Sequence, residues 1–113
     1  FSPYINDAIV IGDKRKYLTA IIVIDEENVM KFAQDEKVQF TTFATLTRTE
    51  EITELIQQEI NKVNSQMAKV ENIRKFRILD KKLYTEDGEV TPTMKVKRKS
   101  INEQFADLIE SMY

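Results

Sequence analysis

The sequence predicts an α+β domain: a small mixed β-sheet with helices packed against it. Three observations carry this reading. Two unbroken apolar runs, Ala8-Ile9-Val10-Ile11 and Ala20-Ile21-Ile22-Val23-Ile24, flank a short polar turn. Apolar residues then recur at helical spacing at Ile52, Leu55, Ile56, Ile60, Val63 and Met67. Finally, Ile73 to Leu79 alternates in a strand period. Runs of apolar residues mark buried strands, spacings of three and four mark an amphipathic helix, and alternation marks a half-exposed strand.

Taken in order, Tyr4 to Ile11 and Tyr17 to Ile24 are strands, and Gly12-Asp13-Lys14-Arg15-Lys16 joins them as a hairpin. Their continuous apolarity predicts burial on both faces. Asp25 is placed to cap a helix, with Glu26 and Glu27 in its first turn and Val29, Phe32 and Ala33 on its inner side. Lys37 to Leu46 shows no clean period and is expected to be a loop anchored by Phe40 and Phe43. Thr47 with Glu50 three residues on reads as a capping box opening a helix over 47–68. Ile73 to Leu79 is a strand with its cations outward, and Asp87-Gly88 signals a turn. Ser100 with Glu103 reads as a second capping box, opening a helix over 100–113 with Ile101, Phe105, Leu108, Ile109 and Met112 on one side. There is no internal repeat or low-complexity tract.

With 113 residues, 42% hydrophobic and 32% charged, the chain fits one small domain with a modest core. No run of about 18 apolar residues is present. Cysteine and histidine are both absent. That removes disulfides, thiol nucleophiles, thiolate or imidazole metal ligands and histidine acid–base catalysis. No carboxylate spacing matches a calcium loop, so no metal ligands are assigned. The chain starts at Phe1 and enters a strand at once, as expected of a piece of a longer polypeptide.

The net charge of −2 conceals an asymmetry. Residues 1–68 carry 7 basic and 11 acidic side chains, residues 69–99 carry 10 and 5, and residues 100–113 carry none and 3. The cationic middle points to an anionic ligand, and a solvated lysine-rich surface gives the same balance. Within it lies Gly88-Glu89-Val90-Thr91-Pro92-Thr93-Met94-Lys95-Val96-Lys97-Arg98-Lys99. Pro92 holds Thr91 extended, and the hydroxyls of Thr91 and Thr93 can fix the loop by bonding to its backbone. Lys95 would then project as a compact ammonium toward oxygens that gain charge in a reaction. An ordinary exposed lysine before a helix fits the same spacing, and both readings stay open on residues alone. Lys97, Arg98 and Lys99 could meet phosphates, as could Arg74, Lys75 and Arg77, although an exposed strand edge often carries such charges for solubility. No aromatic residues interleave with the basic run, so no stacking platform for single-stranded nucleic acid is present. Glu86, Asp87 and Glu89 suit an acidic turn better than a metal site.

Two blocks, Ser2 to Ala20 and Gly88 to Arg98, together with the closing segment Ile101 to Tyr113, resemble the C-terminal domain of long-chain fatty-acid–CoA ligases, a branch of the adenylate-forming enzymes. The resemblance runs the whole chain, 1–113, as a single domain without its hinge and the hairpin that follows. It implies a mobile lid over a large N-terminal adenylation domain that binds ATP, Mg²⁺ and the fatty acid, with CoA as co-substrate. It makes Lys95 the catalytic lysine, Gly88, Thr91, Pro92 and Thr93 its supporting loop, and Lys97 and Arg98 candidate phosphate or CoA contacts. Met94 stands where the wider superfamily usually has glycine, as in the long-chain branch. The resemblance further implies that the fragment alone is inactive, that no nucleic acid is bound, and that the enzyme is cytoplasmic. Peripheral membrane attachment of the full-length protein is left open. The alternative expectation is a stand-alone α+β module that binds a polyanion through residues 69–99.

Overall fold

The computed structural model describes residues 2–12, 15–81, 88 and 97–113, with Val70 described by its backbone alone. The chain forms two compact units, Phe1–Lys81 and Lys82–Tyr113.

The first unit holds a three-stranded sheet in the order β1-β2-β3. β1 (Ile5–Ile11) pairs antiparallel with β2 (Leu18–Ile24), bringing Ile9 opposite Ile21 and Val10 opposite Ala20. β2 pairs parallel with β3 (Ile73–Ile78), so the sheet is mixed and β2 is its central strand. Every residue of β2 from Thr19 to Ile24 is buried, the two-sided burial that its unbroken apolar run dictates. Ala20, Ile22 and Ile24 join Val29 and Ala33 of α1 (Glu26–Asp35) and Ile52, Ile56 and Ile60 of α3 (Glu50–Asn64) in one apolar core. Burying a side chain of isoleucine size is worth about 1.5–3 kcal/mol, so these positions dominate the stability of the unit.

Asp25 caps α1 as its sequence predicts, its carboxylate accepting from the Asn28 N–H at 3.0 Å. Phe32 packs edge-on against Tyr4, ring centroids 5.9 Å apart. Phe40 and Phe43 do anchor their segment to the core, but it is not all loop. Phe43–Thr47 forms a short helix, α2, closed by a capping box between Thr42 and Thr45. That helix ends at Thr47, so Thr47 cannot cap the next one. Thr49 does so instead, accepting from the Ile52 N–H, and the expected start at 47 moves to Glu50. Thr47 is buried, with its hydroxyl donating to Ala44 C=O at 2.7 Å.

The expected end of this helix also moves, from 68 back to Asn64. Asn64 clamps the start of β3, its side-chain N–H donating to Ile73 C=O at 3.0 Å and its side-chain oxygen accepting from Ile73 N–H at 2.9 Å. That two-way bond ties the end of α3 to the start of the parallel strand. A 3₁₀ turn at Lys69–Glu71, not expected from the sequence, fills the gap. Along α3 Ile52, Ile56 and Ile60 are buried, whereas Val63 near its end and Met67 beyond it remain 43% and 39% exposed. On β3, Arg74 and Lys75 face solvent and Arg77 is half-buried, so the cations are outward in part.

In the second unit the closing helix expected over 100–113 is two helices, α4 (Arg98–Gln104) and α5 (Ala106–Glu110), broken at Phe105. α4 begins before Ser100, because Lys97 already has extended backbone and its C=O accepts from Ile101 N–H at 3.0 Å. Ser100 is therefore inside the helix, and its hydroxyl accepts from the Gln104 side chain at 3.0 Å rather than capping. Of the expected apolar side, Ile101, Ile109 and Met112 are buried, and Phe105 and Leu108 are half-buried. Among the described residues no helix is long and apolar enough to cross a membrane.

Candidate functional site

The candidate site lies in the motif segment, residues 88–98, ahead of and at the start of α4, and the structure describes its two ends. Lys95, Thr91, Pro92 and Thr93 lie outside the described residues. Gly88, Lys97 and Arg98 lie within them.

Gly88 sits in a turn with φ of 72°, in the left-handed region. A Cβ there would meet nothing nearer than Ser100 Oγ at 3.7 Å, an ordinary contact. Conformation rather than space therefore calls for glycine at the start of the motif. At the other end Lys97 is the N-cap of α4, and Lys97, Arg98 and Lys99 are all exposed. The first turn of α4 contains no acidic residue. Cations there oppose the helix dipole, at about 0.3–1 kcal/mol each when exposed. The helix dipole therefore does not account for three cations in succession at this end.

A second cationic feature lies in the first unit. Arg74, Lys75 and Arg77 of the edge strand β3 line an open groove of about 430 Å³ with Thr47, Thr53 and Gln57. Lys75 Nζ stands 5.9 Å from the centroid of the Tyr17 ring. The Arg77 guanidinium folds back to donate to Phe76 C=O at 3.0 Å. Nearby Arg48 pairs with Asp80 at 2.9 Å, both well exposed. The three strand cations thus share one groove, and helix α3 supplies Thr53 and Gln57, which sequence reasoning did not single out.

Glu59 was missed as well. It lies on the buried stripe of α3, and its side chain is 7% exposed. A hydrogen bond from Lys62 at 2.8 Å and another from the Ser2 hydroxyl hold its carboxyl below the usual carboxylate range, against the opposing effect of burial. The same contact raises Lys62. A signal was available: an acid three residues after Ile56 falls on the face that the helix buries.

Among the described residues no group of three or more acidic residues gathers to hold a metal.

The model of the AMP-binding enzyme C-terminal domain matches residues 1–113. The chain belongs to that family. This C-terminal domain is 37% identical over 112 residues to the long-chain-fatty-acid–CoA ligase FadD15 of Mycobacterium tuberculosis, covering 98% of this chain and 19% of that protein. It is 30% identical over 128 residues to the long-chain-fatty-acid–CoA ligase ACSBG1 of Bos taurus, covering 98% of this chain and 18% of that protein. The domain thus spans less than a fifth of the length of these curated relatives. Among solved structures, it is similar to the adenylation domain of a carboxylate reductase from Mycobacterium chelonae, with a TM-score of 0.71 and 23% identity over 99% of this chain and 16% of that one. It is also similar to the A-PCP didomain of a carboxylic acid reductase from Segniliparus rugosus, solved with AMP, with a TM-score of 0.68 and 19% identity over 97% of this chain and 14% of that one. At these identities the two structures establish the fold: a small mixed sheet with helices, as in adenylate-forming enzymes.

Proposed function

We propose that this domain is the lid of an ATP-dependent, AMP-forming long-chain fatty-acid–CoA ligase, and that Lys95 is its catalytic group. The observation that carries the reading is the match of nearly the whole chain to two long-chain-fatty-acid–CoA ligases, together with the Gly88–Arg98 motif. In this reading the N-terminal adenylation domain of the same polypeptide binds ATP, Mg²⁺ and the fatty acid. CoA enters for the second half-reaction.

In the first half-reaction a carboxylate oxygen of the fatty acid bonds to the α-phosphorus of ATP, and pyrophosphate leaves. Two anions must approach each other for this to occur. The Lys95 ammonium, placed between them, lowers their repulsion and stabilises the charge that develops at phosphorus. A unit charge pair about 4 Å apart in an effective dielectric near 20 interacts by about 4 kcal/mol, a rate factor of about a thousand. Gly88 supplies the turn on one side of Lys95. The exposed cations Lys97 and Arg98 extend the positive field on the other, toward phosphate or CoA. When the lid swings away, Lys95 leaves the reacting centre and the thiol of CoA attacks the acyl carbonyl, expelling AMP.

In the full-length enzyme, Lys95→Ala is expected to cripple acyl-adenylate formation and to spare thioester formation from supplied acyl-adenylate. Equal loss of both would assign Lys95 to structure or to CoA binding. The gathering of Arg74, Lys75 and Arg77 in one groove favours a second reading, a polyanion-binding module. Salt-dependent retention of nucleic acid by the 113-residue chain, lost on neutralising these three, would support it.

A further inference from the structure

β3 is an edge strand: β2 pairs with one side of it, and among the described residues no strand pairs with the other. Leu79 N–H points toward β2, donating to Ile22 C=O at 2.9 Å. The backbone groups of a strand change sides from one residue to the next, and the register irregularity of this pair falls before Lys75. The N–H and C=O of Phe76 and Ile78 therefore face away from β2. The Arg77 guanidinium confirms the direction, because it reaches Phe76 C=O at 3.0 Å. Arg74, Lys75, Phe76, Arg77 and Ile78 all line the open groove, together with Thr53 and Gln57 of α3.

The groove carries charge of one sign. No acidic residue stands among the described residues that line it. Among the described residues no carboxylate forms an ion pair with Arg74 or Lys75, and Asp80 is taken by Arg48 at 2.9 Å. Solubility alone accounts for cations on a strand edge. It does not account for backbone donors and acceptors that face a groove shared with a hydroxyl and an amide of α3. The side chains of the strand alternate as well: Phe76 and Ile78 pack toward the core, and Lys75 and Arg77 lie on the opposite face.

We propose that the open edge of β3 receives an extended acidic peptide as a further strand of the sheet. The incoming strand bonds to the outward backbone groups of Phe76 and Ile78 and displaces the Arg77 guanidinium from Phe76 C=O. On one face its side chains are acidic and meet Lys75 and Arg77. On the other they are apolar beside Phe76 and Ile78, with a further acid near Arg74. Main-chain bonds supply the affinity of such strand addition, and opposite charges across the pair select the sequence. A nucleic acid would meet the cations, but it has no repeating N–H and C=O to complete the ladder. The inference rests on the second reading above, that this groove binds a polyanion, and names the class of polyanion. It does not depend on any role for Lys95.

Fluorescence anisotropy with the full-length protein tests this. The probe is a dye-labelled ten-residue peptide in which glutamate alternates with valine. A second peptide, N-methylated at every other residue, keeps each charge but cannot complete the ladder. The first peptide is expected to bind saturably, and methylation to weaken it at least about tenfold. Replacing Arg74, Lys75 and Arg77 together by glutamine is expected to weaken it at least about tenfold as well, whereas Lys95→Ala should leave it unchanged. Absence of saturable binding, or equal binding by the triple variant, would overturn the proposal. Equal binding of the methylated peptide would also overturn it, while leaving the groove a site for anions in general. An oligothymidylate of the same charge that binds more tightly and displaces the peptide would make the groove a nucleic-acid site. That outcome would sink the proposal and keep the second reading, whereas binding of neither probe would sink both.

Discussion

A lysine contributes to catalysis only as much as its charge and timing allow. In the proposed function Lys95 supplies a positive charge in the one half-reaction that brings two anions together, and its described neighbours are consistent with that reading. Gly88 takes a left-handed turn that any residue with a Cβ would resist, and Lys97 to Lys99 oppose the helix dipole where stability alone would favour acids. Glu59 serves the fold instead. Because contacts from Lys62 and Ser2 lower its pKa, its contribution is fully present above the ordinary carboxylate pKa and is lost as pH falls through the lowered value. Lys62 is raised, so its share is present below the ordinary lysine pKa and is lost only in strong alkali. Glu59→Gln is therefore expected to cost about 1–3 kcal/mol at neutral pH. Denaturant titrations should show the gap from the parent chain closing at acid pH, below about pH 4. A gap independent of pH would mean that the side chain contributes shape and not charge.

At the scale of elements, caps decide where helices begin. Thr49→Ala should destabilise the fold by about 1 kcal/mol through loss of the α3 cap, measured as a shift in chemical denaturation. An unchanged midpoint would show that α3 is held by its packed face alone. The strands were legible because continuous apolar runs of this length have few other uses, and the Asp25 cap was legible because its acidic first turn repeats the signal. The start of α3 was not. Thr47 with Glu50 satisfies the local pattern as well as any cap, but residues 43–47 close into a helix of their own and bury Thr47 within it. Ser100 misled in a similar way, since α4 already begins at Arg98. No glycine or proline marks the break at Phe105, so nothing local announces it. The parallel pairing of β3 with β2 and the Asn64–Ile73 clamp beside it are contacts that periodicity cannot reveal. Within the site, the turn glycine and the exposed cations were readable from order alone. The sharing of one groove by Arg74, Lys75 and Arg77 with residues of α3 required the fold.

At the scale of the whole molecule, the proposed function makes the domain one part of an active site. Its described residues offer cations and no carboxylate cluster, and its curated relatives are roughly five times its length. The 113-residue chain is accordingly expected to form no acyl-CoA from fatty acid, ATP and CoA; formation of the thioester by the chain alone would show that it holds a complete site. The most direct measurement is isotope exchange between ATP and pyrophosphate, driven by fatty acid, in the full-length Lys95→Ala enzyme. Exchange is expected to fall about a thousandfold while thioester formation from supplied acyl-adenylate stays within about threefold of the parent. Exchange at the parent rate would contradict the assignment of Lys95 as the catalytic group of the lid.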